Sequence, residues 1–316
     1  MNWIELSPGF ACNLQCPGCY SCSAADRDQM DWPEVLRWLQ NARKRGARHL
    51  WLSGGEPTLR KDFLGTLRAA KQLGYERIKV QTNGLLFSYP QFAQKAVDAG
   101  MTEVNLLVKS LRPELHDALM QKSGALAILD KAVDVLGAFA QLRLEGDFLL
   151  TERNYQELPE LVAHYAARGF RHFNVWLFSL ADQGEADLRA DVPRLTDAVP
   201  FLVRALANAE AAGATLVSLN TPHCLIPPEA WRMQFDAAGM GMLIANPGGH
   251  AFMLEQSNFE LGTYPEVCAS CAVRTQCHGL RKDYIGVHGD GELRAVTQAE
   301  AAGHDARGSI LALGNR

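Results

Sequence analysis

Residues 3–22 read WIELSPGFACNLQCPGCYSC: a strand-like run, Trp3 to Phe10, that delivers Cys12, Cys16 and Cys19 in a CxxxCxxC spacing. Three thiolates this close can hold three irons of a [4Fe–4S] cube and leave the fourth iron open to another ligand. Further on, residues 51–60 read WLSGGEPTLR, which puts Gly54, Gly55, Glu56 and Pro57 at the end of a second strand. A glycine pair lets backbone carbonyls approach a ligand closely. A structural zinc site is the competing reading, with Cys22 as fourth ligand; it leaves the glycine-rich turn without a purpose, and Cys22 reads better as a buried or half-buried thiol.

Outward from these two motifs the chain alternates strands and helices, the rhythm of parallel βα units. Strands are expected at Trp3–Phe10, His49–Leu52, Arg77–Gln81, Glu103–Val108, Leu142–Leu150 and His172–Ser179. Amphipathic helices separate them, the first opening at Asp31 and Pro33 and closing at Gly46. Six such repeats predict an α/β fold; they are too few for a closed eight-fold barrel and fit an open one. In parallel βα folds ligands gather at the C-terminal strand ends. The cysteines, the glycine turn and Gln81-Thr82-Asn83-Gly84 all fall there. After a helix over 194–212 and a strand at Thr215–Leu219, prolines and glycines break the rhythm, with strands expected at His250–Leu254 and Tyr284–His288. The expected division is 1–213 for the barrel and 214–316 for a small α+β domain.

The pair of motifs resembles the radical S-adenosylmethionine (radical SAM) superfamily, over the first two-thirds of the chain, and the resemblance implies that the six repeats form a partial (β/α)6 TIM-like barrel. The resemblance implies that Cys12, Cys16 and Cys19 hold the cluster and that the amine and carboxylate of SAM chelate its open iron. It also implies that an electron from the cluster breaks the S–C5′ bond, so that a 5′-deoxyadenosyl radical takes a hydrogen atom from substrate. Gly54, Gly55 and Glu56 resemble the loop that receives the methionine amine, and Tyr20 the aromatic beside adenine. The run VNLLVKSLRPELHD (104–117) is similar to a SAM-contacting segment of glycyl-radical-enzyme activases, with Leu107 where those carry an acid. Lys109 or Ser110 is then a SAM ribose or carboxylate contact, against a lysine that merely ends a strand. Asn83 is a ligand or a turn former. Glu145, Asp147 and Asp182, on or after strands five and six, face substrate or are edge charges.

A second run, VCASCAVRTQCHGL (267–280), spaces Cys268, Cys271 and Cys277 as CX2CX5C. It resembles the core of SPASM and Twitch domains, which carry auxiliary clusters. The further cysteine of that pattern is replaced by Arg281, and of the upstream pair only Cys224 remains. Four cysteines hold one cube, so one auxiliary [4Fe–4S] cluster is expected, with a zinc knuckle as the competing reading. Cys224, in NTPHCLIPPEAW (220–231), is the fourth ligand, a hydrogen-atom donor of the kind radical SAM epimerases use, or a plain buried thiol.

Bulk properties bound the partners. The 316 residues carry a net charge of −4 and 21% charged residues, which gives no general nucleic-acid footprint. No run of about 18 apolar residues appears, so no membrane span is expected. The first ten residues lack a secretory signal's charged and apolar regions. Eight cysteines, clustered, in a chain without such a signal argue for cluster binding in a reducing compartment, the cytoplasm. The expected function is hydrogen abstraction from a peptide or small molecule, ending in oxidation or cross-linking with the auxiliary cluster as electron acceptor. The alternatives are epimerisation through Cys224 and activation of a glycyl-radical enzyme. A flavodoxin or ferredoxin would supply the electrons.

Overall fold

The computed structural model describes residues 1–19, 29–180, 186–257 and 262–304. Tyr20, Cys22 and Asp182 lie outside them. Nine strands form one sheet: β1 (Trp3–Leu6), β2 (His49–Leu52), β3 (Arg77–Thr82), β4 (Glu103–Val108), β5 (Arg143–Leu150), β6 (Phe170–Leu177), β7 (Thr215–Leu219), β8 (Met242–Ala245) and β9 (Ala251–Met253). Their order is β7-β6-β5-β4-β3-β2-β1-β8-β9. The first seven thus follow chain order, as in a partial TIM-like barrel, and the α/β expectation holds. The pairs β1–β2, β2–β3, β3–β4 and β6–β7 are parallel.

Helices return the chain between strands: α1 (Trp32–Lys44), α2 (Phe63–Gln72), α3 (Pro90–Ala99), α4 (Pro113–Met120), α5 (Ala125–Gly137), α6 (Leu158–Ala167) and α7 (Leu195–Ala211). Asp31 caps α1 as expected, accepting from the Glu34 N–H at 2.8 Å. Three short helices follow: α8 (Ala237–Met240), α9 (Lys282–His288) and α10 (Gln298–Ala301).

Two elements depart from expectation. Tyr284, Ile285 and Val287 favour a strand, yet the expected strand Tyr284–His288 lies within α9. Tyr284 and His288, four residues apart, meet on one helical face with ring centroids 5.0 Å apart. The run MLIA (242–245), hidden among glycines and prolines, forms β8, which pairs in parallel with the free side of β1; β9 then runs antiparallel to β8.

By compactness the chain forms two units. Unit 1 comprises Met1–Gly146, Arg168–Phe170 and Met240–Leu254. Unit 2 comprises Asp147–Ala167, Arg171–Gly239 and Glu255–Arg316. In unit 1 the strands alternate in character with period two. Ile4, Leu6, Leu50, Leu52, Ile78, Val80, Val104 and Leu106 make one face, each at most 1% exposed. Leu106 lies beside Leu129 of α5 where Gly84 leaves no side chain. The opposite face is polar. Lys79 and Glu145, both with wholly buried side chains, pair at 2.5 Å. Arg143 adds a 2.9 Å contact to Glu145, and Arg77 pairs with Glu103. The Lys79 ammonium lies 4.3 Å from the centre of the Trp51 ring. Glu145 is therefore no edge charge. In unit 2, Leu177, Phe178, Val192, Leu195, Leu280 and Tyr284 form a core cluster. Asp147, 1% exposed, accepts from Asn174 Nδ2 at 2.9 Å.

Removing Lys79 takes from Glu145 its wholly buried partner and leaves it the part-exposed Arg143. Lys79→Met is expected to cost about 3–5 kcal/mol in a urea unfolding titration; a loss below about 1 kcal/mol would show that the pair carries no stability.

Candidate cluster and SAM site

Unit 1 gathers its chemistry beyond the C-terminal ends of β1–β4. The segment after β1 and the turn after β2 are zipped backbone to backbone: Gly55 N donates to Gly9 O and Glu56 N to Ala11 O, both at 2.9 Å. A Cβ on Gly54 would lie 2.4 Å from Gly9 O, and one on Gly55 2.3 Å from Ala11 O. Only glycine lets the two segments meet, and Gly54 also has φ of 109°. The first service of the glycine pair is thus to seat the cysteine segment.

Glu56, 2% exposed, points beneath this junction. Its carboxylate accepts from Thr58 N at 3.1 Å, Thr58 Oγ1 at 2.5 Å, Thr82 Oγ1 at 2.8 and 2.9 Å, and Asn83 N at 2.8 Å. Burial pushes its carboxyl upward, against the pull of these donors. Asn83 donates through Nδ2 to Asn13 Oδ1 at 2.8 Å and accepts the Leu85 N–H at 3.0 Å, so it is both a turn former and a brace for the cysteine loop.

Cys12 and Cys19 are half-buried and Cys16 is buried, packed with Leu14, Leu85, Met120 and Ala125. Cys16 Sγ lies 3.8 Å from Met120 Sδ. Burial pushes the Cys12 thiol up to about 11, opposed by the Leu14 N–H and reinforced by Glu56, Cys19 and Cys16. It raises Cys16 too, and the charge of Lys109 pulls it back. Lys109 and Ser110, 4% and 0% exposed, are therefore interior groups rather than solvent-facing strand ends. The Lys109 N–H lies 3.4 Å from His116 Nδ1. Asn13, Thr58 and Met120 were not legible as site residues, and Thr82 only through its place in the strand end Gln81-Thr82-Asn83-Gly84.

Unit 2 brings Cys224, Cys268, Cys271 and Cys277 into one pocket, lined also by His223, Tyr264, Arg274 and Arg294. Three of the sulfurs are met by backbone N–H groups. Val296 N lies 3.4 Å from Cys271 Sγ and Gly279 N 3.4 Å from Cys277 Sγ. His223 N–H also serves Cys277, and Arg294 N–H serves Cys224. Burial pushes Cys224 up to about 11, with Cys277, Cys268 and Cys271 adding to it. Amides aimed at sulfur are what a thiolate bound to metal wants, since they offset the charge left when the ligand loses its proton. The donor sets in both units fit iron–sulfur clusters on this ground. No three His, Cys, Asp or Glu side chains among the described residues converge as one ion would require; a cube takes each thiolate on a different iron.

Arg281 stands where another cysteine would complete the SPASM pattern. It is 5% exposed and donates to Leu177 O at 3.1 Å and Phe178 O at 3.0 Å, while pairing with Asp283. Asp283 in turn accepts the Leu180 N–H at 2.8 Å. No helix among the described residues is long and apolar enough to cross a membrane.

Residues 6–139 match the radical SAM superfamily model. A protein of Methanocaldococcus jannaschii named "Probable GTP 3′,8-cyclase" is 30% identical over 164 residues, 50% of this chain and 53% of its own length. The chain thus spans about half the length of that relative. Among solved structures, Streptococcus suis SuiB bound to precursor peptide SuiA superposes with a TM-score of 0.63 at 17% identity, over 80% of this chain and 59% of SuiB. Native anSMEcpe with bound AdoMet and Cp18Cys peptide gives 0.56 at 14%, over 69% and 63%. These last two likenesses are likenesses of fold.

Glu56→Gln puts an amide where Thr58, Thr82 and Asn83 all donate. It is expected to lower stability by about 1–3 kcal/mol in urea denaturation, and an unchanged midpoint would show that the carboxylate is not the junction's pin.

Proposed function

We propose that this chain, whose residues 6–139 match the radical SAM superfamily model, is a radical SAM enzyme that cleaves SAM reductively and removes a hydrogen atom from a peptide or a small molecule. The observation that carries the reading is the backbone zip between Gly9 and Ala11, which lead directly into Cys12, and the Gly54-Gly55-Glu56 turn, within the stretch that matches the family. Cys12, Cys16 and Cys19 would hold a [4Fe–4S] cluster there. The cluster and SAM, when bound, supply a one-electron cleavage of the sulfonium and a hydrogen-atom abstractor. Glu56 positions the turn that would receive the methionine amine, and Gly54 and Gly55 keep that turn against the cysteines. Lys109, interior and near enough for its charge to act on Cys16, and Ser110, also interior, are assigned to the SAM carboxylate or ribose. Tyr20 is assigned to adenine on the resemblance alone.

The barrel is assigned to 1–213 and an auxiliary Twitch-like domain to 214–316. In the latter, Cys224 shares a pocket with Cys268, Cys271 and Cys277. This favours its role as fourth ligand of an auxiliary [4Fe–4S] cluster over a role as free hydrogen donor, and therefore favours oxidation or cross-linking over epimerisation. Such a net oxidation leaves one electron on the substrate radical, which the auxiliary cluster would accept. A reducing compartment, the cytoplasm, and a flavodoxin or ferredoxin reductant follow from this chemistry. A nucleotide substrate is a second reading, favoured by the 30% identity to the relative named as a GTP 3′,8-cyclase.

Two measurements test the proposal. The anaerobically reduced protein is expected to convert SAM to methionine and 5′-deoxyadenosine in equal amounts, and Cys12→Ala is expected to abolish both; absence of cleavage in the wild type would sink the radical SAM assignment. Reconstituted wild type should carry about eight irons, about four per cube, and Cys224→Ala about half of that. Full retention in the variant would free the thiol and move epimerisation to first place. Stimulation of 5′-deoxyadenosine formation by GTP would favour the nucleotide reading.

A further inference from the structure

We infer that Arg60 is a positioning residue for the first cluster: with Asp62 it latches shut the two ends of the segment that carries Cys12, Cys16 and Cys19. The inference rests on the cluster assignment above. Every nitrogen of the Arg60 guanidinium is engaged. Nη1 donates to Pro8 O at 3.0 Å, just before the cysteines, and Nη2 to Met30 O at 2.9 Å, after them. Nε and Nη2 grip the Asp62 carboxylate at 2.9 and 2.7 Å. The same two ends are joined directly by Met30 N donating to Pro8 O at 2.9 Å.

Asp62 points to the same role from another side. It sits at the N-cap of α2, where an aspartate ordinarily accepts from the helix's own N–H groups, yet its side chain makes no capping bond. The carboxylate is turned to the guanidinium instead, which fixes the fork in the plane that reaches both carbonyls. Lysine cannot stand in, because an ammonium is one point donor and cannot span two carbonyls and a carboxylate in fixed geometry. Both residues lie just past the glycine turn, in TLRKD (58–62). The element that seats the cysteine segment from one side therefore also clamps its ends.

The test compares wild type, Arg60→Met, Arg60→Lys and Asp62→Asn as full chains. Each is reconstituted anaerobically, and iron release to a colorimetric ferrous chelator is followed, with a Cys12→Ala/Cys16→Ala/Cys19→Ala chain marking the auxiliary contribution. Arg60→Met is expected to release the first-site iron at least fivefold faster than wild type, with Arg60→Lys failing to restore retention and Asp62→Asn between them. Thermal midpoints of the apo proteins separate this from general unfolding. Release at the wild-type rate from Arg60→Met would overturn the latch, and so would full rescue by lysine, which would make charge rather than geometry the cause. If wild type itself holds no iron on Cys12, Cys16 and Cys19, the cluster assignment falls. The latch is then decided on the apo protein by alkylation of Cys16, which is 8% exposed: faster labelling in Arg60→Met supports it and an equal rate overturns it.

Discussion

The Glu56 carboxylate is the point at which three separate stretches of unit 1 become one site. Its oxygens take hydrogen bonds from the turn that follows β2 and from the end of β3, while its own N–H is bonded to Ala11 in the cysteine segment. Burying a carboxylate is costly unless hydrogen bonds replace water, and Glu56 has such donors on both oxygens. Because they come from elements distant in sequence, the compensation exists only when the strands are in register. The site and the sheet are therefore completed together.

The same logic, with a different sign, runs along the polar face of β1–β5. A parallel sheet covered on both faces normally reads as near-continuous apolar strands. Here one face of β3, β4 and β5 carries five charges, and they are paired locally: Lys79 between Glu145 and Glu103, Arg77 on Glu103, Arg143 on Glu145. Buried pairs of this kind contribute little net stability relative to apolar packing. They do set which strand neighbours which, since a slip of one residue would turn every one of these charges into the helix-covered face.

How much could be read beforehand follows from the range of the interactions concerned. The strands β2 and β4 and the glycine-terminated helices were legible because caps, turns and alternation act within a few residues. The cysteine sets were legible because covalent spacing limits how far apart the sulfurs can lie. Asn13 bracing Asn83 and Met120 packing on Cys16 were not legible, because nothing local marks a contact between residues 70 or 104 positions apart. The β8 strand was hidden for a related reason: four residues carry too little periodicity, and their place beside β1 is a matter of the whole sheet. In α9 the strand-favouring Tyr284, Ile285 and Val287 misled, and the tertiary core won, with Tyr284 buried beside Leu280 and donating to Glu292.

Arg281 has a consequence for how this chain relates to proteins with a fuller cysteine set. Its guanidinium holds the exit of β6 through two carbonyls, and its Asp283 partner holds Leu180. A cysteine at this position would add a sulfur while removing the guanidinium that fastens the strand beside it, so Arg281→Cys would bring a potential ligand only by opening the clasp on the exit of β6.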